Sequence, residues 1–286
     1  MEFYKKFFLA LGLIIPAFIL CFGFWLFNSS MFENIIFSNN KPRKEQNIPS
    51  RNFDNNPVRL EVKIEEDNGD KNKQTGSQDK LPDNREVDKI LTAITVLDVP
   101  FTPQAPHGEW DNPIYQDACE ETSALMAIYW LRGKSLTKTE ANRKIVDLAN
   151  WQTENYGEYR DTSAADTVER IFKGYFGYED VQAKKNISLQ DIIDESQKGK
   201  LVIVPANGRA LANPYYTAPG PERHNLVIRG YDQATDEFIT NDPGTSRGEL
   251  YRYRSAVLFN AIRDYSTGYH LPIEGIEKNM IVVSHQ

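Results

Sequence analysis

Phe7 to Phe27 (FFLALGLIIPAFILCFGFWLF) is a run of 21 residues without a charge or a strongly polar side chain. At about 1.5 Å of rise per residue, a helix of this length spans the roughly 30 Å hydrocarbon core of a bilayer. Pro16, in mid-run, kinks such a helix without forbidding it. Lys5 and Lys6 would also suit the basic start of a cleaved signal peptide. Two features oppose cleavage: the apolar run is longer than a signal peptide needs, and Asn28-Ser29-Ser30 offers no small-x-small site. Phe18-Ile19-Leu20-Cys21 does not resemble a lipidation box. The sequence therefore predicts an uncleaved signal anchor over residues 1–28. Lys5 and Lys6 favour a cytoplasmic N-terminus, with Lys41, Arg43 and Lys44 as competitors beyond the span. The expected product is a single-pass membrane protein with its C-terminal part outside.

Beyond the anchor the composition changes sharply. Asn28 to Asp88 contains eleven Asn and neither Trp nor Tyr. Such a stretch buries too little apolar area to offset the entropy of ordering it, so residues 29–88 read as a disordered polar linker. Val58 to Ile64 (VRLEVKI) alternates like a short strand but is too small to stand alone. Residues 89–286 hold three of the four Trp and thirteen of the fourteen Tyr, and nearly 200 residues can enclose a core of their own.

Within that part, Ala93 to Val99 (AITVLDV) is apolar and β-branched and reads as a strand. Pro100 to Pro113 reads as a loop in which helix is disfavoured. A helix opens at Cys119, with Glu120 and Glu121 in its first turn, and stops at Gly133. Thr137-Lys-Thr-Glu140 is a capping box for a second helix, to about Asn150. Ser163-Ala-Ala-Asp166 and Ser188-Leu-Gln-Asp191 are similar starts for two more. Lys200 to Pro205 reads as a buried strand, and His224 to Tyr231 with Glu237 to Asn241 as a strand pair. A helix near Arg254 to Asp264 and a last strand at Met280 to Ser284 complete the set. Helices first and strands later predict an α+β domain built on an antiparallel sheet.

Composition excludes several functions. With 33 Lys and Arg against 40 Asp and Glu, the net charge of −7 leaves no surplus to neutralise a nucleic-acid backbone. Two cysteines cannot make a disulfide framework or a four-thiolate zinc site. Cys21 lies in the apolar run, so Cys119 stands alone in the globular part. A lone cysteine is usually a small buried hydrophobe. Its place at a helix N-terminus changes that weighting, because free N–H groups and the positive dipole end favour thiolate, the nucleophilic form. Glu120 and Glu121 work weakly against this, so a base is needed.

Among the histidines of the globular part, His107 and His270 read as surface residues, and His285, penultimate, is expected to fray. His224 opens an apolar strand behind a loop, where a side chain is held firmly yet can face a cleft. A hairpin turn centred at Gln233 sets His224 opposite Asp242; centring it at Ala234 moves the match to Gly244. Asp242 could orient the imidazole, or the Asp-Pro-Gly run could simply be turn chemistry, and spacing alone leaves both open.

Three separated blocks, in order across about 150 residues, resemble one family. Val99-PFTPQAPHGEWDNPIYQDACEETSALM, ending at Met126, is similar to the N-terminal signature of peptidase C39-like domains, of papain-like cysteine-peptidase type. His224-NLVIRGYD and Thr240-NDPGT are similar to that family's His and Asp segments. The resemblance implies a papain-like fold, with the nucleophile helix among N-terminal helices packed on an antiparallel sheet. It implies Cys119 as nucleophile, His224 as general base and acid, and Asp242 as orienter. It also implies an upstream Gln as oxyanion donor; Gln104 matches best, with Gln116, nearer to Cys119, as the competing candidate. Cys-Glu-Glu stands where many relatives carry Cys-Gly. Trp110 either lines the cleft or packs.

The expected protein is a membrane-tethered, thiol-dependent peptidase or amidase acting on a peptide or protein substrate, without metal or organic cofactor and without nucleic acid. A catalytically silent binding module at the cell surface is the alternative from another class. A cell-wall peptide hydrolase or acyltransferase would keep the same site.

Overall fold

The computed structural model describes residues 95–285. The expected anchor (1–28), the polar linker (29–88) and the alternating stretch at 58–64 lie outside the described residues. Among the described residues no helix is long and apolar enough to cross a membrane.

Six strands form one sheet: β1 (Val181–Lys184), β2 (Leu201–Ala206), β3 (His224–Asp232), β4 (Glu237–Asn241), β5 (Tyr251–Arg254) and β6 (Met280–Val283). Their spatial order is β1-β6-β2-β3-β4-β5, and every neighbouring pair is antiparallel. β2 is apolar at every position because both its faces are covered. Leu201 and Ile203 join the core on one face, and Val202 and Val204 the core on the other, as the period of two requires.

The helices divide between those faces. On one side lie α2 (Cys119–Leu131), α3 (Lys138–Tyr156) and the short α4 (Ala164–Asp166), which runs on as π-helical turns over Thr167–Tyr175. Met126, Ala127, Leu148, Ile171 and Phe172 pack there against Ile203, Val227 and Ile281. On the other side lie α5 (Leu189–Gln197), α6 (Gly208–Leu211) and α7 (Ser255–Ala261), with Ile192, Leu211 and Leu258 against Leu226, Ile228 and Phe238. A one-turn helix, α1 (Pro113–Gln116), precedes α2. The expected α+β domain with an antiparallel sheet is thus present; of the four helices expected ahead of the strands, three lie on one face and the fourth, α5, on the other.

The expected caps hold as well. Thr137, Ser163 and Ser188 each accept an N–H from the residue three positions on, and Ser188 with Asp191 makes the reciprocal capping box. α3 runs past Asn150 because no stop residue intervenes before Gly157, which takes the left-handed conformation.

Two expectations fail locally. Residues 95–99 do not join the sheet as a strand. Both edges of β3 are already taken, by β2 and β4, so this segment docks where β3 bulges between Ile228 and Gly230. There Leu97 N–H donates to Arg229 O at 2.9 Å, and Arg229 Nε returns a bond to Leu97 O at 2.8 Å. The approach is close enough that a Cβ on Gly230 would lie 2.5 Å from Thr95 O. In the proline-rich loop, α1 forms after all, since Pro113 sits in its first turn, where a missing N–H is harmless, and Asn112 caps it. β1 and β5 were not anticipated; each is only four residues long.

Candidate active site

α2 places Cys119. Every residue from Cys119 to Tyr129 is buried, so this helix runs through the interior with no wet face and fixes its first residue rigidly. β3 places His224 on its first rung, paired with Ala206 at the end of β2. The β3–β4 register pairs Val227 with Asn241, which agrees with a turn centred at Ala234 and sets Gly244 rather than Asp242 on the His224 rung. Asp242, just past β4, reaches His224 through its side chain: His224 Nε2 and Asp242 Oδ1 are 2.8 Å apart. Both residues are almost wholly buried.

Asp242 is held by more than the histidine. Tyr216 OH and Tyr253 OH donate to its Oδ2 at 2.5 and 2.6 Å, Asn213 Nδ2 at 3.2 Å, and Gly244 N–H donates to Oδ1 at 3.0 Å. Burial by itself pushes this carboxyl up, but the charge of His224 and the hydrogen bonds outweigh it and hold Asp242 below its ordinary value. Tyr216 also lies edge-on to the imidazole, with ring centroids 5.5 Å apart. Gly244 fits because it lacks a side chain: a Cβ there would lie 2.9 Å from His224 Cε1 and 2.9 Å from Tyr216 Cε1.

The Cys119 end is organised differently. No hydrogen bond joins Cys119 to His224 among the described residues; the thiol donates instead to Glu120 Oε2 at 3.1 Å. Glu120 is buried, and its other oxygen accepts from Tyr265 OH at 2.6 Å. Tyr265 in turn receives Asn225 Nδ2 at 3.0 Å, and Asn225 is the residue after His224 on β3. Burial first, then Glu120, Glu121 and Asp161, push the Cys119 thiol well above its ordinary pKa. The helix-end stabilisation of thiolate expected from the sequence is therefore overridden. The two glutamates that read as a weak opposing influence are both buried in the first turn of α2, where low dielectric makes their charge count.

Gln104 is buried against α1, the short helix that precedes α2. Its Nε2 donates to Tyr115 O at 2.7 Å and Gln116 O at 3.0 Å, which engages both amide protons, while Oε1 has no partner among the described residues. Gln116 is exposed and its side chain donates to Trp110 O at 3.0 Å. The Gln104 main chain is tied to the aspartate turn by Gln104 N–H to Pro243 O at 2.9 Å. Asn241 Nδ2 bonds Val99 O at 3.1 Å and approaches Met126 Sδ at 3.9 Å. The three sequence blocks thus meet: the loop with Gln104, the helix with Cys119, and the strand pair with His224 and Asp242.

The remaining histidines lie elsewhere. His107 is exposed, and His285, also exposed, lies edge-on to Trp130 with ring centroids 4.9 Å apart. His270 brings a ligand atom within 4.8 Å of Asp117 and Asp161. Asp161 is already served by His270 N–H at 2.6 Å and by Arg223 Nε at 3.6 Å, so a side-chain cation stands at that cluster. Sequence reasoning missed Tyr216, Tyr253, Asn213, Tyr265 and Asn225. The only available signal was the density of tyrosine around Asp242, including the alternating Tyr251 and Tyr253 of β5.

With this geometry in view, the sequence profile of the Peptidase_C39 like family matches residues 96–267, and the chain belongs to that family. A candidate C39-like peptidase from Bacillus anthracis, known from a crystal structure, is 15% identical with a TM-score of 0.42; the match covers 67% of this chain and 98% of that one. No curated protein matches the chain.

Proposed function

We propose that the chain is a thiol-dependent peptidase or amidase in which Cys119, His224 and Asp242 act together on a peptide or protein substrate. The observation that carries this reading is the buried His224–Asp242 pair at the mouth of β3, in a family whose name is that of a peptidase and beside the helix opened by Cys119. With Nε2 committed to Asp242, His224 Nδ1 is the nitrogen left for proton transfer. The Cys119 proton passes to Nδ1 and sulfur attacks the carbonyl carbon. The oxyanion forms at the start of α2, where Cys119 N–H has no intrahelical partner. Gln104 Nε2 is the second donor, and it serves once it gives up one of its two carbonyl partners. Collapse expels the amine, protonated by His224, and water then hydrolyses the thioester. The reading includes attachment to a membrane through residues 1–28, with this domain outside and residues 29–88 giving it reach.

The test is a peptide-library digest by the solubilised full-length chain, with Cys119→Ala and His224→Ala beside it. Cleavage in the wild type that falls by at least about 10⁴-fold in each variant supports the reading. Turnover unchanged in Cys119→Ala sinks it. A fully silent wild type favours the binding-module alternative, and appearance of transfer products in place of hydrolysis favours an acyltransferase. For topology, protease digestion of intact cells that leaves the domain protected would overturn the outside placement.

A further inference from the structure

The hydrogen bonds around Cys119 point to a use for the acidic residue beside it. We propose that Glu120 is a positioning residue that holds Cys119 as a resting thiol and releases it to His224 when its own carboxylate takes up a proton. This rests on Cys119 being the nucleophile proposed above.

The geometry is a connected chain. Cys119 S–H donates to Glu120 Oε2 at 3.1 Å, Tyr265 OH donates to Glu120 Oε1 at 2.6 Å, and Asn225 Nδ2 donates to Tyr265 OH at 3.0 Å. Cys119, Glu120, Tyr265 and Asn225 are all buried, so water does not compete for these bonds. The chain ends at Asn225, the residue next to His224, so the bonds that hold the competing acceptor on α2 reach back to the strand that carries the base. While Glu120 is ionised it takes the thiol hydrogen bond that His224 would need, and its charge opposes a thiolate alongside.

Glu120 takes one proton from solvent, the Cys119 proton moves to His224 Nδ1, and the new Glu120 O–H donates to the thiolate. One proton is gained, and a neutral acid replaces a carboxylate beside sulfur. Burial raises Glu120, the hydrogen bonds from Tyr265 and Cys119 lower it, Asp161 raises it, and the balance stands at about 7. The other titratable groups around the pair are Glu121 on α2, Asp117 just before it, Asp161 from the loop before α4 and Tyr265 after α7. A glutamine has the same shape as Glu120 but cannot make the exchange.

The test is alkylation of Cys119 by iodoacetamide in the full-length chain, located by peptide mapping, between about pH 5 and 9. In the wild type an inflection near the Glu120 value of about 7 is expected, with the acidic side more reactive than a simple thiol allows. Glu120→Gln should erase the inflection and raise the rate at the alkaline end by about tenfold, one unit of thiol pKa. Tyr265→Phe removes a donor to the carboxylate, so its inflection should move to higher pH. A Glu120→Gln profile that superimposes on the wild type, while His224→Ala differs, overturns the inference and leaves the nucleophile reading standing. A His224→Ala profile identical to the wild type overturns the nucleophile reading itself. Should Glu120→Gln fail to fold by circular dichroism, Tyr265→Phe decides, and an unmoved inflection overturns the inference.

Discussion

Asp242, just beyond β4, accepts hydrogen bonds from Tyr216, Tyr253, Asn213 and Gly244 N–H and pairs with His224. Glu120, one residue into α2, is as deeply buried, and among the described residues its side-chain donors are Tyr265 and Cys119. The first carboxyl is held below its ordinary value and the second is raised to about 7. Burial acts the same way on both, so the charge of His224 and the larger set of donors at Asp242 decide the difference. One end of the site holds an anion against an imidazole, and the other keeps a carboxyl close to neutrality beside a thiol. The contrast also gives the two ends opposite dependences on pH.

The largest expected effect comes from Asp242→Asn, which keeps the shape and removes the fixed charge. Peptidase activity should fall by about 10⁴-fold, the scale found when an imidazole loses its orienting carboxylate. Steady-state kinetics check this, and loss of less than tenfold would mean that Asp242 only caps its turn. The same variant should remove an acid-side stability effect. A depressed carboxyl contributes stability that is present above its unfolded value, near 3.8, and is lost as pH falls through the lower folded value.

Glu120→Gln tests the other end. A raised acid contributes stability that is complete below the unfolded value and lost as pH rises through the folded one, here between 4.5 and about 7. The wild type should therefore lose about 3 kcal/mol across that window, and the variant should show a flatter profile in urea unfolding. Equal slopes in the two proteins would erase the contrast between Glu120 and Asp242.

Gly244→Ala sharpens the geometric side. Its new Cβ would press on His224 Cε1 and Tyr216 Cε1, each 2.9 Å away. Displacing the ring should lower kcat by about 10²-fold while the fold persists by circular dichroism. The smallest effect belongs to Tyr216→Phe. It removes one of several donors to Asp242, costs about 1.5 kcal/mol in thermal or urea unfolding, and leaves the other hydrogen bonds to hold the pair.

Much of this was legible in the sequence because it depends on local rules. The caps at Thr137, Ser163 and Ser188 are short-range chemistry, and the β3–β4 hairpin follows from turn spacing to within one position of its centre. Cys119 stood out as the sole cysteine of the globular part, and the joining of His224 to Asp242 was one of two readings that spacing allowed. The bulge at Arg229 was hidden, and with it the reason residues 95–99 dock on β3 without becoming a strand. The state of Cys119 was hidden for a different reason. Whether Glu120 opposes the thiol weakly or strongly depends on its burial under Tyr265, a residue far along the chain, and no spacing rule reports that contact.

Everything proposed for this site turns on Cys119 as a nucleophile served by His224. The most direct measurement is an acid-quenched single turnover of the full-length chain with an activated peptide ester, read by intact mass and peptide mapping. The account predicts a thioester on Cys119 in the wild type, none in Cys119→Ala, and much slower formation in His224→Ala. An adduct that forms on Cys119 at the same rate in His224→Ala as in the wild type would contradict it.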